Sequence, residues 1–97
     1  MRIIAKRTLR EFWEKHKDSE QPLRSWYEIV RNEDWGNFNE IKSFFRNASI
    51  VGNDMVVFNI KENTYHLVVK IDFSWKAMFI KFIGTHHEYD KIDVKKL

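Results

Sequence analysis

Cysteine is absent from this chain of 97 residues, which has only one proline and three glycines. Without cysteine, neither a disulfide scaffold nor a thiolate zinc site can form, and a reducing compartment fits. So little proline and glycine excludes the collagen-like and low-complexity classes. No apolar run approaches the ~20 residues of a membrane span, and no signal peptide follows Met1. We therefore expect a cytoplasmic protein.

The residues that are present are typical of a globular protein. Hydrophobic residues make up 43% of the sequence, charged residues 32% and aromatic residues 15%, a balance that excludes a disordered chain. We expect a single domain over residues 1–97, because this length has room for one hydrophobic core. The formal net charge of +3 attracts RNA or DNA only weakly, and a solubilising surface explains it at least as well.

Helical patterns dominate the first half of the chain. Thr8 and Glu11 fit a capping box, and a stripe of apolar residues at helical spacing follows them. A second helix is predicted to begin near Pro22, because proline suits the first helical turn. Asn37 and Glu40 form another capping pair, which predicts a third, shorter helix.

The second half of the chain alternates with the period of two that is typical of strands. Strands are predicted at Arg2–Ala5, Met55–Ile60, Thr64–Ile71 and Ala77–Ile83. Short connections favour an antiparallel meander for the last three. Gly84 is expected to end the last strand, and Thr85–Leu97 resembles a polar tail. The order of elements predicts an α+β fold, with two to three helices packed on a small antiparallel sheet.

The segment after the last predicted strand is the richest in reactive side chains. His86, His87, Glu88, Tyr89 and Asp90 follow one another, and histidine can take or give a proton near neutral pH. A solvated turn and a metal site that uses both histidines and the aspartate remain open as alternatives. Sequence motifs for nucleotide hydrolysis, dinucleotide binding, zinc proteolysis and serine hydrolysis are missing.

Cations on the predicted sheet give a second clue. If the meander pairs in register, Lys61, His66 and Lys81 converge on one sheet face. Such faces can bind phosphates, and neighbouring aromatic rings can stack on bases. A face that is simply solvated, as is common in antiparallel sheets, explains the pattern as well.

Several stretches of the chain resemble one bacterial family, the HigB-type toxins of type II toxin–antitoxin systems. Met1–Glu14 is similar to the family's opening, as are Arg46–Asn53 and Val57–Ile60 to its middle motif. Gly84–Asp90 is similar to its G-T-H-x-E-Y-D signature. Two positions where the family often has arginine hold His66 and Lys81 here.

The resemblance implies a RelE-like α+β fold and an activity. The activity is that of an mRNA interferase, an endoribonuclease that cuts translated messages on the ribosome, without a metal or other cofactor. The implied partners are the ribosome with its mRNA and a HigA-type antitoxin with a helix-turn-helix DNA-binding domain.

The expected site takes most of its residues from the last strand and the segment that follows it. We expect His86 to act as general acid or base and Tyr89 to orient or stack on the scissile nucleotide. Lys81 and His66 are expected to hold the scissile phosphate, because cleavage without a metal needs cations near the phosphorane. The flanking RNA backbone is expected to contact Arg46, Lys61, His87 and Lys91.

Two other functions stay open at this point. ParE-like toxins share the fold class and inhibit DNA gyrase by binding it, without cutting RNA. A non-catalytic RNA- or protein-binding module is the second alternative. Fold-level similarity cannot separate these functions.

Overall fold

All 97 residues are described by the computed structural model, in which one five-stranded sheet organises the chain. The strands are β1 (Arg2–Ile4), β2 (Ser49–Val51), β3 (Met55–Ile60), β4 (Tyr65–Asp72) and β5 (Ala77–Thr85). The α-helices are α1 (Lys6–Lys15), α2 (Glu20–Asn32), α3 (Phe38–Phe44) and α4 (His86–Tyr89), with 3₁₀ turns at Lys17–Ser19 and Val94–Lys96. None of the helices is long and apolar enough to span a membrane.

The sheet has the order β1-β5-β4-β3-β2. Strands β2 to β5 pair antiparallel in sequence order, whereas β1 pairs with β5 in parallel. The predicted meander is confirmed as β3, β4 and β5, and so is the α+β class with helices on a mainly antiparallel sheet. The pattern missed β2, because its three residues are exposed or half-buried and do not alternate.

The main core lies between one face of the sheet and the first two helices. Alternate residues of β4 point to this face, as their period predicts. They are Tyr65, Leu67, Val69 and Ile71, and they belong to one buried cluster with Leu9 and Trp13 of α1 and Leu23, Trp26 and Val30 of α2. Burial of each such apolar side chain contributes about 1.5–3 kcal/mol, so this face fixes the sheet against the helices.

A smaller core covers the opposite face of the sheet. Met55, Val57 and Val68 on this face are buried together with Val94 from the end of the chain. Phe82, Tyr89 and Ile92 pack against them. The expectation of a polar tail over Thr85–Leu97 was therefore wrong, because apolar residues within it fold back over the sheet.

Local hydrogen bonds set the ends of the helices. The Asn37 side chain accepts from the Glu40 N–H at 3.0 Å, which confirms that cap. The prediction that Thr8 caps α1 was wrong. The helix begins at Lys6, after Ala5 in a left-handed conformation, and the Thr8 N–H donates to the Ala5 carbonyl. The sharp turn out of β1 therefore starts the helix three residues earlier than the capping pattern indicates.

Candidate active site

His66 lies in the middle of the candidate site, at the start of β4. It pairs with Asn59 of β3 on one side and with Gly84 of β5 on the other. Side chains alternate between the two faces along β4, and this alternation places His66 on the face that the end of the chain covers. Only 5% of its surface is exposed. A buried histidine needs hydrogen-bond partners for its ring nitrogens, and those partners define the site.

Both ring nitrogens of His66 are engaged. Its Nδ1 lies 3.0 Å from Asn59 Oδ1, and its Nε2 lies 2.7 Å from Nδ1 of His86. The other nitrogen of His86, Nε2, lies 3.4 Å from the Asp90 carboxylate. The result is a continuous hydrogen-bonded chain from β3 through β4 to the segment after β5.

The helix α4 brings His86 to this position. Thr85 and Glu88 form a capping box: the Thr85 hydroxyl accepts from the Glu88 N–H, and the Glu88 carboxylate accepts from the Thr85 N–H at 2.8 Å. These two bonds satisfy donors that a four-residue helix would otherwise leave unpaired. His86 is the first residue of the helix and is exposed.

Tyr89, at the other end of α4, covers His66. The two rings are tilted by 32°, with centroids 4.6 Å apart. Tyr89 is half-buried, because one side of its ring packs into the smaller core. The structure therefore brings three sequence-predicted site residues together, namely His66, His86 and Tyr89.

The surroundings of His66 favour its neutral form. Burial lowers its pKa below the usual value, the neighbouring His86 lowers it further, and Asp90 partly opposes the shift. A neutral ring with both nitrogens occupied makes a poor ligand for phosphate. Both ring nitrogens of His66 therefore have protein partners in this structure, and its contact with the scissile phosphate stays a prediction.

Lys81, His87 and Lys91 lie outside the hydrogen-bonded chain. Lys81 is the extra residue of an irregularity in β5, where Val68 pairs with Phe82 and Val69 pairs with Ile80. All three side chains are exposed. None of them forms an ion pair, so each is free to contact an anion.

Arg46 and Lys61 line a groove of about 360 Å³ between α2, β3 and the loop after α3. Lys61 pairs with Asp18 at 2.6 Å. Asn59 also lines this groove, and its Nδ2 donates to the Asn47 carbonyl there at 3.3 Å. The groove and the histidine pair therefore have one residue in common, Asn59.

Asn59 and His16 were not among the site residues expected from the sequence. Asn59 was detectable, because a hairpin that turns at Lys61–Thr64 pairs it directly with His66. His16 stacks on Phe12 with centroids 4.3 Å apart, and its charge helps to lower the pKa of Glu88, after the hydrogen bonds from Thr85. The only sequence signal at His16 was its place in the apolar stripe of α1, and such a stripe indicates packing against the core and not a functional role.

Metal ligands do not gather at this site. No group of three or more His, Cys, Asp or Glu side chains has a geometry that could hold a metal ion. The two histidines face each other through ring nitrogens that could otherwise serve as ligands.

The fold is consistent with a known class, the RelE-like toxic components of toxin–antitoxin systems. A family model of that description, the HigB toxin model, matches residues 19–92. The chain belongs to the HigB toxin family. It is also 29% identical over 94 residues to a protein from Escherichia coli O6:H1 that is named mRNA interferase HigB. That alignment covers 95% of this chain and 91% of the relative.

Membership of the family confirms the resemblance that the sequence motifs indicated. It also confirms that the chain is the toxin of a toxin–antitoxin pair.

Proposed function

We propose that this toxin is an mRNA interferase, an endoribonuclease that cleaves translated messages without a metal. One observation carries the proposal: the hydrogen-bonded pair of His66 and His86 beneath Tyr89, with an exposed ring nitrogen next to Asp90. A toxin that acts only by binding needs no such pair. The name of the Escherichia coli relative supports the same activity.

The reaction uses the 2′-hydroxyl of the RNA as nucleophile. The O2′–P bond forms and the P–O5′ bond breaks, which leaves a 2′,3′-cyclic phosphate and a 5′-hydroxyl end. One group takes the 2′-proton and one group gives a proton to O5′, and a positioned acid or base contributes about 10²–10⁴-fold in rate. His86 is the general acid or base, because it is the exposed member of the pair.

The remaining residues bind and orient the RNA. Tyr89 stacks on or orients the scissile nucleotide. Lys81 lies about 10 Å along β5 from Gly84, at about 3.3 Å per residue, and holds a phosphate near the reacting bond. Arg46, Lys61, His87 and Lys91 contact the flanking RNA backbone, where the guanidinium and ammonium groups attract the phosphates.

The ribosome and an antitoxin complete the proposed system. The ribosome orients the message, so that a small set of catalytic groups suffices. An antitoxin of the HigA type, with a helix-turn-helix domain, neutralises the toxin in the cytoplasm.

The test compares the wild-type chain with the His86→Ala and Tyr89→Ala variants after induction in growing cells. We expect wild-type chain to arrest growth and to produce discrete message ends with 5′-hydroxyl groups, and each variant to lose both effects. Thermal unfolding of the purified variants checks that they are folded. Arg31→Ala on the exposed surface of α2 is the control and should stay toxic.

Other outcomes separate the alternatives. Intact messages with damaged DNA would identify a gyrase inhibitor. Full toxicity of both variants would exclude this site as the active site. Activity that a chelator abolishes and zinc restores would overturn the metal-free mechanism.

A further inference from the structure

Asn59 connects the groove to the catalytic pair, and its two partners fix the orientation of its amide. The Nδ2 group can only donate, and it donates to the Asn47 carbonyl at 3.3 Å. The Oδ1 atom can only accept, and it faces His66 Nδ1 at 3.0 Å. A reversed amide would place two acceptors against each other at Asn47, so the proton of the second contact belongs to His66 Nδ1.

This contact determines the tautomer of His66. A neutral imidazole has one N–H group, and Asn59 holds it at Nδ1. The other nitrogen, Nε2, is then an acceptor, and it faces His86 Nδ1 at 2.7 Å. His86 must therefore donate from Nδ1, so that only its Nε2 remains to exchange a proton with a substrate.

The titratable groups around His66 agree with this assignment. His86, Tyr89 and Asp90 face His66 from the segment after β5, whereas β3 contributes only the uncharged Asn59. Asp90 lies next to His86 Nε2 at 3.4 Å. His86 Nε2 is therefore the only ring nitrogen of the pair that neither Asn59 nor the other ring engages, and it belongs to the exposed ring.

We infer that Asn59 is a positioning residue that fixes the Nδ1–H tautomer of His66 and so makes His86 Nε2 the proton-transfer atom of the site. The inference rests on the proposed function for its catalytic half. It follows the general logic by which an outer group orients an imidazole for proton transfer. Asn59 itself acts through two rings and does not contact the reacting atoms.

Two substitutions distinguish this role from simple support of the Asn47 loop. Asn59→Ala removes both contacts, whereas Asn59→Asp keeps an acceptor for His66 and loses only the donor to Asn47. Asn59 is exposed, so both variants should fold. Asn32→Ala is the matched control, because Asn32 also donates its amide to a backbone carbonyl, that of Glu28 at 2.8 Å.

The first readout is the tautomer, from long-range nitrogen–proton correlation spectra of the histidine rings. We expect Nδ1–H at His66 in the wild-type chain, a mixture of tautomers in Asn59→Ala and recovery of Nδ1–H in Asn59→Asp. An Nε2–H ring in the wild-type chain, or a ring that Asn59→Ala leaves unchanged, would overturn the inference.

The second readout is cleavage of a defined message on purified ribosomes as a function of pH. We expect Asn59→Ala to lower kcat by roughly 10- to 100-fold with little change in KM, because misplaced catalytic groups lose about that much. Asn59→Asp should recover most of the loss with a displaced pH profile. Equal losses in both variants would show that Asn59 only supports the loop.

The two readouts keep this inference separate from the proposed function. If the wild-type chain does not cleave messages, the proposed function fails, and the spectra still decide whether Asn59 sets the tautomer. If the tautomer changes but cleavage does not, the catalytic half of the inference is wrong and the endoribonuclease stands.

Discussion

A methyl group at Gly84 tests how closely the last strand and α4 must approach. Gly84 is buried opposite His66 in the sheet. A Cβ atom there would lie 2.5 Å from Phe82 Cζ and 3.1 Å from Glu88 Oε1. The Phe82 ring packs in the smaller core, and the Glu88 carboxylate closes the capping box of α4. Gly84→Ala must therefore displace a packed ring, a helix cap or both.

The expected cost follows from these two contacts. Overpacking typically costs about 1–3 kcal/mol, and loss of a cap costs about 0.5–2 kcal/mol. We expect Gly84→Ala to lower the free energy of unfolding by roughly 1–3 kcal/mol. Cleavage should fall by about 100-fold, because His86 and Tyr89 move with the helix.

Urea unfolding and the ribosome cleavage assay measure the two effects. Gly52→Ala is the matched control, since its Cβ would meet only Lys95 Cε at 3.8 Å. Phe82→Leu removes the closest clashing atom, so Gly84→Ala should cost less in that background, with a coupling of about 1 kcal/mol between the sites. A stability within 0.5 kcal/mol of wild type, or strict additivity with Phe82→Leu, would show that the Phe82 ring and the Glu88 cap do not restrict position 84.

Three further expectations concern stability and titration. Ala5→Gly should stabilise the fold by about 0.5–1 kcal/mol in urea unfolding, since Ala5 has a φ of 78°; no gain would contradict this. Because the pKa of His66 is lowered in the fold, the unfolded chain binds more protons and stability falls as the pH drops below about 6.5. His66→Gln should remove that part of the fall, and an unchanged pH dependence would contradict it. The Asp18 carboxylate accepts a hydrogen bond from Tyr65 and raises the pKa of Tyr65 to about 12. The stability that this hydrogen bond contributes is therefore lost as the pH rises from about 10 to about 12. Asp18→Asn should lower that pKa in a tyrosinate absorbance titration, and an unchanged value would rule out the Asp18 contact as its cause.

The pattern Thr-x-x-Glu occurs twice in this sequence, and it forms a capping box once. Thr8 and Glu11 match a capping box that would start the helix at Leu9, yet α1 begins three residues earlier, at Lys6. Thr85 and Glu88 match it equally well, and there both reciprocal bonds form. The difference comes from the preceding backbone. Ala5 turns sharply out of β1, whereas Thr85 ends its strand in an extended conformation that suits an N-cap.

The candidate site was predictable where local backbone patterns determine it, and not elsewhere. Alternation and short turns predict the strand register, which places His66 on the face opposite the main core and leads to His86 at the strand end. The same register pairs Asn59 with His66, and the hydrogen bond between their side chains shows that the two residues act together. The position of Lys81 was not predictable, because no glycine or proline marks the irregularity opposite Val68 and Val69.

The folded end of the chain makes the site chemically distinct. A half-covered antiparallel sheet would leave His66 in water, where a histidine titrates near 6.5. Tyr89, Ile92 and Val94 cover that face, and the resulting burial lowers the pKa of His66. The ring is then a neutral acceptor that orients His86. Because only four residues form this smaller core, the site rests on the part of the fold with the least buried apolar surface, where local opening costs least.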